Sequence, residues 1–163
     1  MEKKQPKQIK SKQSNFYFET EAEAVRVLKS EGRRLKYIAL KVWRKHLSNP
    51  KPKAYIRTRD SQRSIKLGKV RKVGSNEYTI ELTFDNDLAY HESVVGKDQP
   101  EGHAIMLLSS GWEARNLEKK IGIRERFTRY KGFNYLGEVQ KAFNNGKHKG
   151  IQLQINWSGR YLK

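Results

Sequence analysis

Between Glu21 and Leu47 no proline interrupts the chain, and Val25, Leu28, Leu35, Ile38, Ala39 and Val42 recur at helical spacing. A single apolar stripe of that length predicts a long amphipathic helix, which must bury its seam against another element. Thr20 with Glu23 three residues on forms a capping box, and Glu19 and Glu21 put negative charge where the helix dipole favours it. Ser48-Asn49-Pro50 predicts the stop, since proline disfavours helix in the residue before it. Gly32 is the weak point of the stripe. Arg26, Lys29, Arg33, Lys36, Lys41, Arg44 and Lys45 lie largely off it, so the helix is expected to have a basic outer face.

Something must cover that seam, and the rest of the chain supplies candidates. Asn49-Pro50-Lys51-Pro52-Lys53 reads as a semi-rigid connector, after which Thr58 or Asp60 can cap a short helical turn. Ile65, Leu67 and Val70 begin an alternation, Gly74-Ser75-Asn76-Glu77 has turn chemistry, and Tyr78, Ile80, Leu82 and Phe84 alternate with Thr79, Glu81 and Thr83. Period-two patterning on both sides of a turn predicts a β-hairpin. Residues 88–101 are expected to form a long loop, Ala104 to Leu108 a short buried helix stopping near Gly111, and 113–134 an extended surface loop. Leu136, Val139 and Phe143 share a face of a helix predicted from Tyr135 to Asn144, ended by Asn145-Gly146. Ile151, Leu153, Ile155 and Trp157 alternate with polar residues, predicting a C-terminal strand. The fold class expected is α+β, a long N-terminal helix packed on a small, mainly antiparallel sheet, with a short helix and a C-terminal strand. Residues 1–15 are expected to be a disordered basic arm, and 16–163 a single domain, a length that supports one core.

Charge limits the function. Lysine and arginine number 35 against 17 aspartates and glutamates, a formal charge of +18, with a pI near 10.1. A compact body so charged repels itself and needs counter-charge from salt, nucleic acid, an acidic protein or an acidic surface. An ordinary solvated basic surface is the competing reading. The distribution is uneven. From Glu77 to Glu101 seven acids face one base, Lys97, a local charge of −6 that leaves +24 on the remainder. Opposite signs on one chain suit head-to-tail contact between copies, although turn chemistry and a solvated loop explain the acids equally well. Lys3, Lys4, Lys7, Lys10 and Lys12 of the arm, with Arg33, Arg34, Lys41, Arg44, Lys45, Arg126 and Arg129, are the candidate polyanion-facing residues.

Catalytic chemistry finds no motif. There are no cysteines, which removes disulfides, thiolate nucleophiles and cysteine-ligated zinc. His91-Glu92 lacks a second histidine at helical zinc spacing, the residue four on being Val95, and a His91, Glu92, His103 cluster lacks the expected ligand spacing. Asp85 and Asp87 could hold magnesium in a nuclease, yet Asp-Asn-Asp before a loop is ordinary turn composition. No phosphate-binding glycine loop or nucleophile elbow is present. The expectation is a protein without enzymatic activity, metal or cofactor. Phe127, Tyr130, Phe133 and Tyr135 interleave with Arg124, Arg126, Arg129 and Lys131, as single-stranded nucleic-acid binders require, although the same rings can pin a loop to the core. Ala104 to Leu108, the longest strongly apolar run, is too short to span a bilayer. The first residues hold no apolar core behind their charges, so neither a secretory signal nor a membrane partner is expected.

Tyr55-Ile56-Arg57-Thr58, then Arg63-Ser64-Ile65, a hairpin, and Phe84-Asp85-Asn86-Asp87-Leu88-Ala89-Tyr90-His91 together resemble the tail-completion, or head–tail joining (neck), proteins of tailed bacteriophages. In that family a long helix precedes a Tyr-x-Arg-Thr-Gly-x-Leu-x-x-Ser-Ile segment, and a hairpin leads into a tyrosine-containing loop. The likeness covers roughly residues 20–95. Arg59 stands where the family has glycine and Ser61 where it has leucine. The resemblance implies a non-enzymatic virion protein, made in the host cytoplasm, that forms a homo-oligomeric ring at the portal–tail junction. Its neighbours there would be portal, adaptor or tail proteins, with genomic DNA in the channel. It implies intersubunit or neighbour contacts at Arg57, Thr58, Arg63, Ser64, Asp85, Asp87, Tyr90, His91 and Glu92. The alternative is a basic nucleic-acid-binding module using the lysine arm and the 124–135 segment.

Overall fold

The structure, a computed structural model, describes residues 17–47, 59–91, 102–110, 112–113, 129–130 and 132–156. The expected arm at 1–15 and the connector at 49–53 lie outside them. Helix α1 (Glu21–Leu47) has the predicted bounds. Thr20 caps it: the Glu23 N–H donates to Thr20 Oγ1 at 3.1 Å, and the Glu23 carboxylate reaches back to the Glu19 N–H at 2.9 Å. Its seam buries Leu28, Leu35, Ala39, Val42 and Trp43, with Val25 and Ile38 half-buried.

A single helical turn, α2 (Asp60–Arg63), follows. Asp60 is its first helical residue and does not cap it. Arg59 occupies the N-cap at φ 65°, and its carbonyl accepts from the Gln62 and Arg63 N–H groups. Thr58 lies outside the described residues. The hairpin then forms as expected, in two ladders. Strand β1 (Ile65–Leu67) pairs with β4 (Leu82–Phe84), and β2 (Arg71–Gly74) pairs with β3 (Glu77–Thr79), all antiparallel. The Gly68 N–H continues the first ladder to the Glu81 carbonyl at 2.8 Å, and a register shift interrupts the second between Lys72 and Gly74.

The expected 88–101 loop is structured at its start. Helix α3 (Asn86–Ala89) leads into β5 (Tyr90–His91), which pairs antiparallel with β6 (Gly102–His103). Helix α4 (Ala104–Ser110) follows directly, as predicted. The expected 113–134 loop is pinned by a second short ladder, β7 (Trp112–Glu113) on β8 (Arg129–Tyr130). Helix α5 (Tyr135–Asn144) also matches, N-capped by Asn134, with Gly146 at φ 85° just past its end.

Together these elements are α+β, a long helix packed on small antiparallel ladders and short helices. The expected C-terminal strand is not found: residues 151–156 form no ladder. Ile151 is buried, Leu153 half-buried and Ile155 exposed, so the alternation records side chains laid onto the core and not strand pairing. Period-two burial needs only an extended backbone.

One core cluster joins α1, β1, α4, α5 and Ile151. Trp43 and Tyr135 are its largest members, edge to face at a centroid distance of 5.3 Å. The Tyr135 hydroxyl donates to the Ala39 carbonyl at 2.9 Å, and its burial raises the phenol above its usual range.

Gly32, the weak point of the stripe in helix propensity, also has a packing role. It is buried where α1 meets the hairpin: a Cβ there would stand 2.9 Å from Ile80 Cδ1 and 3.2 Å from Leu67 Cδ1. The missing side chain is what lets helix and hairpin approach. Gly32→Ala is expected to be nearly neutral, since a helix-propensity gain of about 1 kcal/mol offsets a contact that flexible Ile80 can relieve. Gly32→Leu overpacks the same seam and is expected to cost about 2 kcal/mol in urea unfolding. Equal stabilities for the two variants would contradict this packing.

Candidate functional site

Of the segments that carry the family resemblance, residues 63–65 and the start of residues 84–91 meet at the open end of the hairpin, while residues 55–58 lie outside the described residues. Ile65 pairs with Phe84 in the ladder, and the next bond outward is the Asp85 N–H to the Ser64 carbonyl at 2.8 Å. Helices α2 and α3 pack against each other there. Ser64 is fully buried, and its hydroxyl donates to the Ser61 carbonyl at 2.6 Å. Trp43 Nε1 donates to Ser61 Oγ at 3.0 Å, tying the segment to α1. Ser61, standing where the resembled motif has leucine, thus anchors the turn through a polar contact.

Asp85 is likewise internal to the arrangement. Its carboxylate caps α3, accepting from the Asp87 N–H at 3.1 Å and the Leu88 N–H at 3.3 Å, and forms an ion pair with Lys66. The Lys66 ammonium, then the Leu88 N–H, hold this carboxyl below the usual aspartate range. Ser64 and Asp85 therefore shape the surface and do not present themselves on it. Arg63, Asp87 and Tyr90 do: all three are exposed, Tyr90 at 52%, with Arg63 held toward Asp60 at 3.0 Å. The backbone of His91 pairs with Gly102. Arg57, Thr58 and Glu92 lie outside the described residues.

The acidic stretch beginning at Glu77 is not an acidic face where it is described. The hairpin lays it antiparallel to a basic strand, so Glu81 lies 3.9 Å from Arg71 and Asp85 pairs with Lys66. Lys72 meets Glu21 of α1 at 3.5 Å. The Tyr78 hydroxyl and Lys72 hold the Glu21 carboxyl low, although that buried hydroxyl itself reaches no partner in hydrogen-bond geometry. Charge that is segregated along the chain is interleaved in space.

The candidate polyanion residues also divide. Arg34 does not face outward as a free cation. Its guanidinium caps α5, donating to the carbonyls of Phe143 at 3.0 Å and Asn145 at 2.7 Å, and pairs with Glu31 at 3.0 Å. Lys45 meets Glu138 at 3.4 Å, beside His46, which meets the same carboxylate at 3.0 Å and stacks on Phe133. His46, then Lys45, hold Glu138 below its usual range. Arg44 donates to Gln62 at 3.2 Å. Arg33 and Lys41 are exposed without an ion pair among the described residues. With Arg26, Ser30 and Arg44 they form an exposed stripe opposite the seam, and Tyr37, 65% exposed, stands at its middle. Tyr37 was not singled out from the sequence, though its place four residues from both Arg33 and Lys41 marks it. The five arm lysines and Arg126 lie outside the described residues, and Arg129 is described only through its β8 backbone. Tyr135 belongs to the core and half-buried Phe133 packs against it, which favours pinning over stacking for that part of the aromatic segment.

His103 packs edge-on against Phe84, and burial pushes its pKa down. Among the described residues no group of three histidine, aspartate or glutamate side chains could hold a metal, and no helix is long and apolar enough to cross a membrane. No protein-family model, curated protein or solved structure matches the chain.

A carboxyl whose folded pKa lies below its unfolded one adds stability above the unfolded value, and that stability is lost as pH falls through the folded value. Asp85 should therefore contribute fully at neutral pH and lose its contribution below about pH 4. In thermal melts, Asp85→Asn, which retains a capping oxygen, is expected to melt lower than wild type at pH 7, and the gap is expected to narrow as pH falls below about 4. Parallel pH profiles would contradict the Lys66–Asp85 assignment.

Proposed function

We propose that the chain is a non-enzymatic structural protein of a tailed-phage virion, one subunit of a ring at the head–tail junction. One observation supports this reading: the described parts of the resemblance segments, distant in the chain, meet at the open end of the hairpin, and Arg63, Asp87 and Tyr90 of those segments are exposed. Arg59 adds support. It is the one non-glycine residue with positive φ among the described residues, and it stands at the position of the motif's glycine. The left-handed backbone that glycine would favour is kept here by an arginine. In this reading Arg63, Asp87 and Tyr90 contact a neighbouring copy or a portal, adaptor or tail protein, and the subunit passes from host cytoplasm into the virion.

The test is incorporation. In particles assembled with the Asp87→Asn, Tyr90→Ala subunit, the protein is expected to be depleted from the head–tail junction. The purified variant should stay within about 1 kcal/mol of wild-type stability. Wild-type incorporation of the variant would contradict the assigned face.

The exposed stripe of α1 favours a second reading, a polyanion-binding module. Arg26, Arg33, Lys41 and Arg44 span 19 residues of helix, about 27 Å at the helical rise, with no acid between them on that face. For duplex DNA binding by the isolated chain, glutamine at all four positions is expected to flatten the slope of log affinity against log salt by about 3 to 4. An unchanged slope would place any DNA contact elsewhere and contradict this reading for α1.

A further inference from the structure

The seam between α1 and the hairpin does not close along its whole length. On one side it opens into a groove of about 680 Å³. Val25, Leu67, Val70, Tyr78 and Ile80 form its floor, all half-buried. Lys29 and Arg33 of α1 stand on one wall, and Lys69 and Lys72 of the hairpin on the other, all exposed. Among the described residues no carboxylate lines it. Glu21 reaches Lys72 from outside the groove, while Lys29, Arg33 and Lys69 have no ion pair among the described residues.

We propose that this groove docks an acidic segment of a partner protein, one whose aliphatic side chains sit between carboxylates. Charge complementarity names the sign of the occupant: four cations converge with no acid among the lining residues. The floor names the rest. Four of its five residues are apolar without a free ring face, and the fifth, Tyr78, already has Lys72 over its ring at 5.4 Å from the centroid. A nucleic-acid base finds no platform to stack on, whereas aliphatic side chains find half-buried aliphatic surface. The long stems of Lys29, Arg33 and Lys69 extend the apolar walls while their heads meet carboxylates at the rim.

Length fits a short segment. Val25 to Arg33 covers about 12 Å of helix, the reach of about four extended residues. Gly68 lines the groove at the break between β1 and β2. The groove would be one contact of the assembly proposed above. A peptide titration reads it without a ring, and incorporation into particles reads the ring without the groove.

The probe is a fluorescein-labelled hexapeptide alternating glutamate with leucine and valine, titrated by anisotropy into the full chain. The double variant Lys29→Glu, Lys69→Glu is expected to weaken binding at least about tenfold, while Lys41→Glu, on the outer face of the same helix, leaves it within about twofold. An oligoglutamate of the same charge is expected to bind several-fold more weakly, because it leaves the floor uncovered. Equal weakening by Lys41→Glu, or equal affinity for oligoglutamate, would overturn the site as mere charge attraction. Stronger binding by a thymidine oligonucleotide or by anionic vesicles, lost in the same double variant, would assign the groove to nucleic acid or membrane and overturn the proposal. A single-site variant at the floor, Val70→Asp, gives an independent check. It too should abolish peptide binding while circular dichroism stays that of the wild type.

Discussion

A relay of hydrogen bonds transmits the position of α1 to the face that carries the resemblance. Trp43 Nε1 donates to Ser61 Oγ, Ser64 Oγ to the Ser61 carbonyl, and the Asp85 N–H to the Ser64 carbonyl. Each link is buried or part-buried, where an unmade bond costs more than a made one contributes. Trp43 is itself held by Tyr135, whose hydroxyl bonds the Ala39 carbonyl one turn earlier on α1. The short turns α2 and α3 have little core of their own, yet they are tied to the most buried part of the molecule. A surface that must match a neighbour benefits from such rigid support.

The parts legible in the sequence are those where local rules suffice. The Thr20–Glu23 cap, the hairpin around Gly74, and α5 between Asn134 and Gly146 each follow from spacing and turn chemistry within a few residues. What escaped depends on contacts between distant parts of the chain. Nothing near Arg34 says that it will cap a helix more than a hundred residues away. Gly32 looks like a defect in an isolated helix and is a point of close approach once the hairpin is present. Strands β5 and β6, two residues each, are too short for any periodic signal. The alternation at 151–156 was real, but burial on the core and strand pairing leave the same trace.

Charge shows the same division between chain and space. A run of −6 inside a body of +24 suggests two opposed faces. Antiparallel pairing then places Glu81 beside Arg71 and Asp85 beside Lys66, which neutralises the hairpin locally. Among the described residues, Arg26, Lys29, Arg33 and Lys41 of α1 and Lys69 of the groove wall are exposed cations without an ion pair. Assembly driven by complementary charge would therefore bring acidic partners to α1 and its groove, and leave the Arg63–Tyr90 face to shape and aromatic contact. Both fit a subunit that stays dispersed by its own charge until neighbours supply the counter-charge.

The central claim is that this chain closes into a ring at the junction of head and tail. Single-particle imaging of assembled virions, with the subunit located by a fused density tag, tests it most directly. Tags arranged in one closed ring around the portal–tail axis are expected, with Arg63, Asp87 and Tyr90 buried between subunits or against a neighbouring ring. Tags absent from the particle, or scattered along the packaged genome, would contradict it.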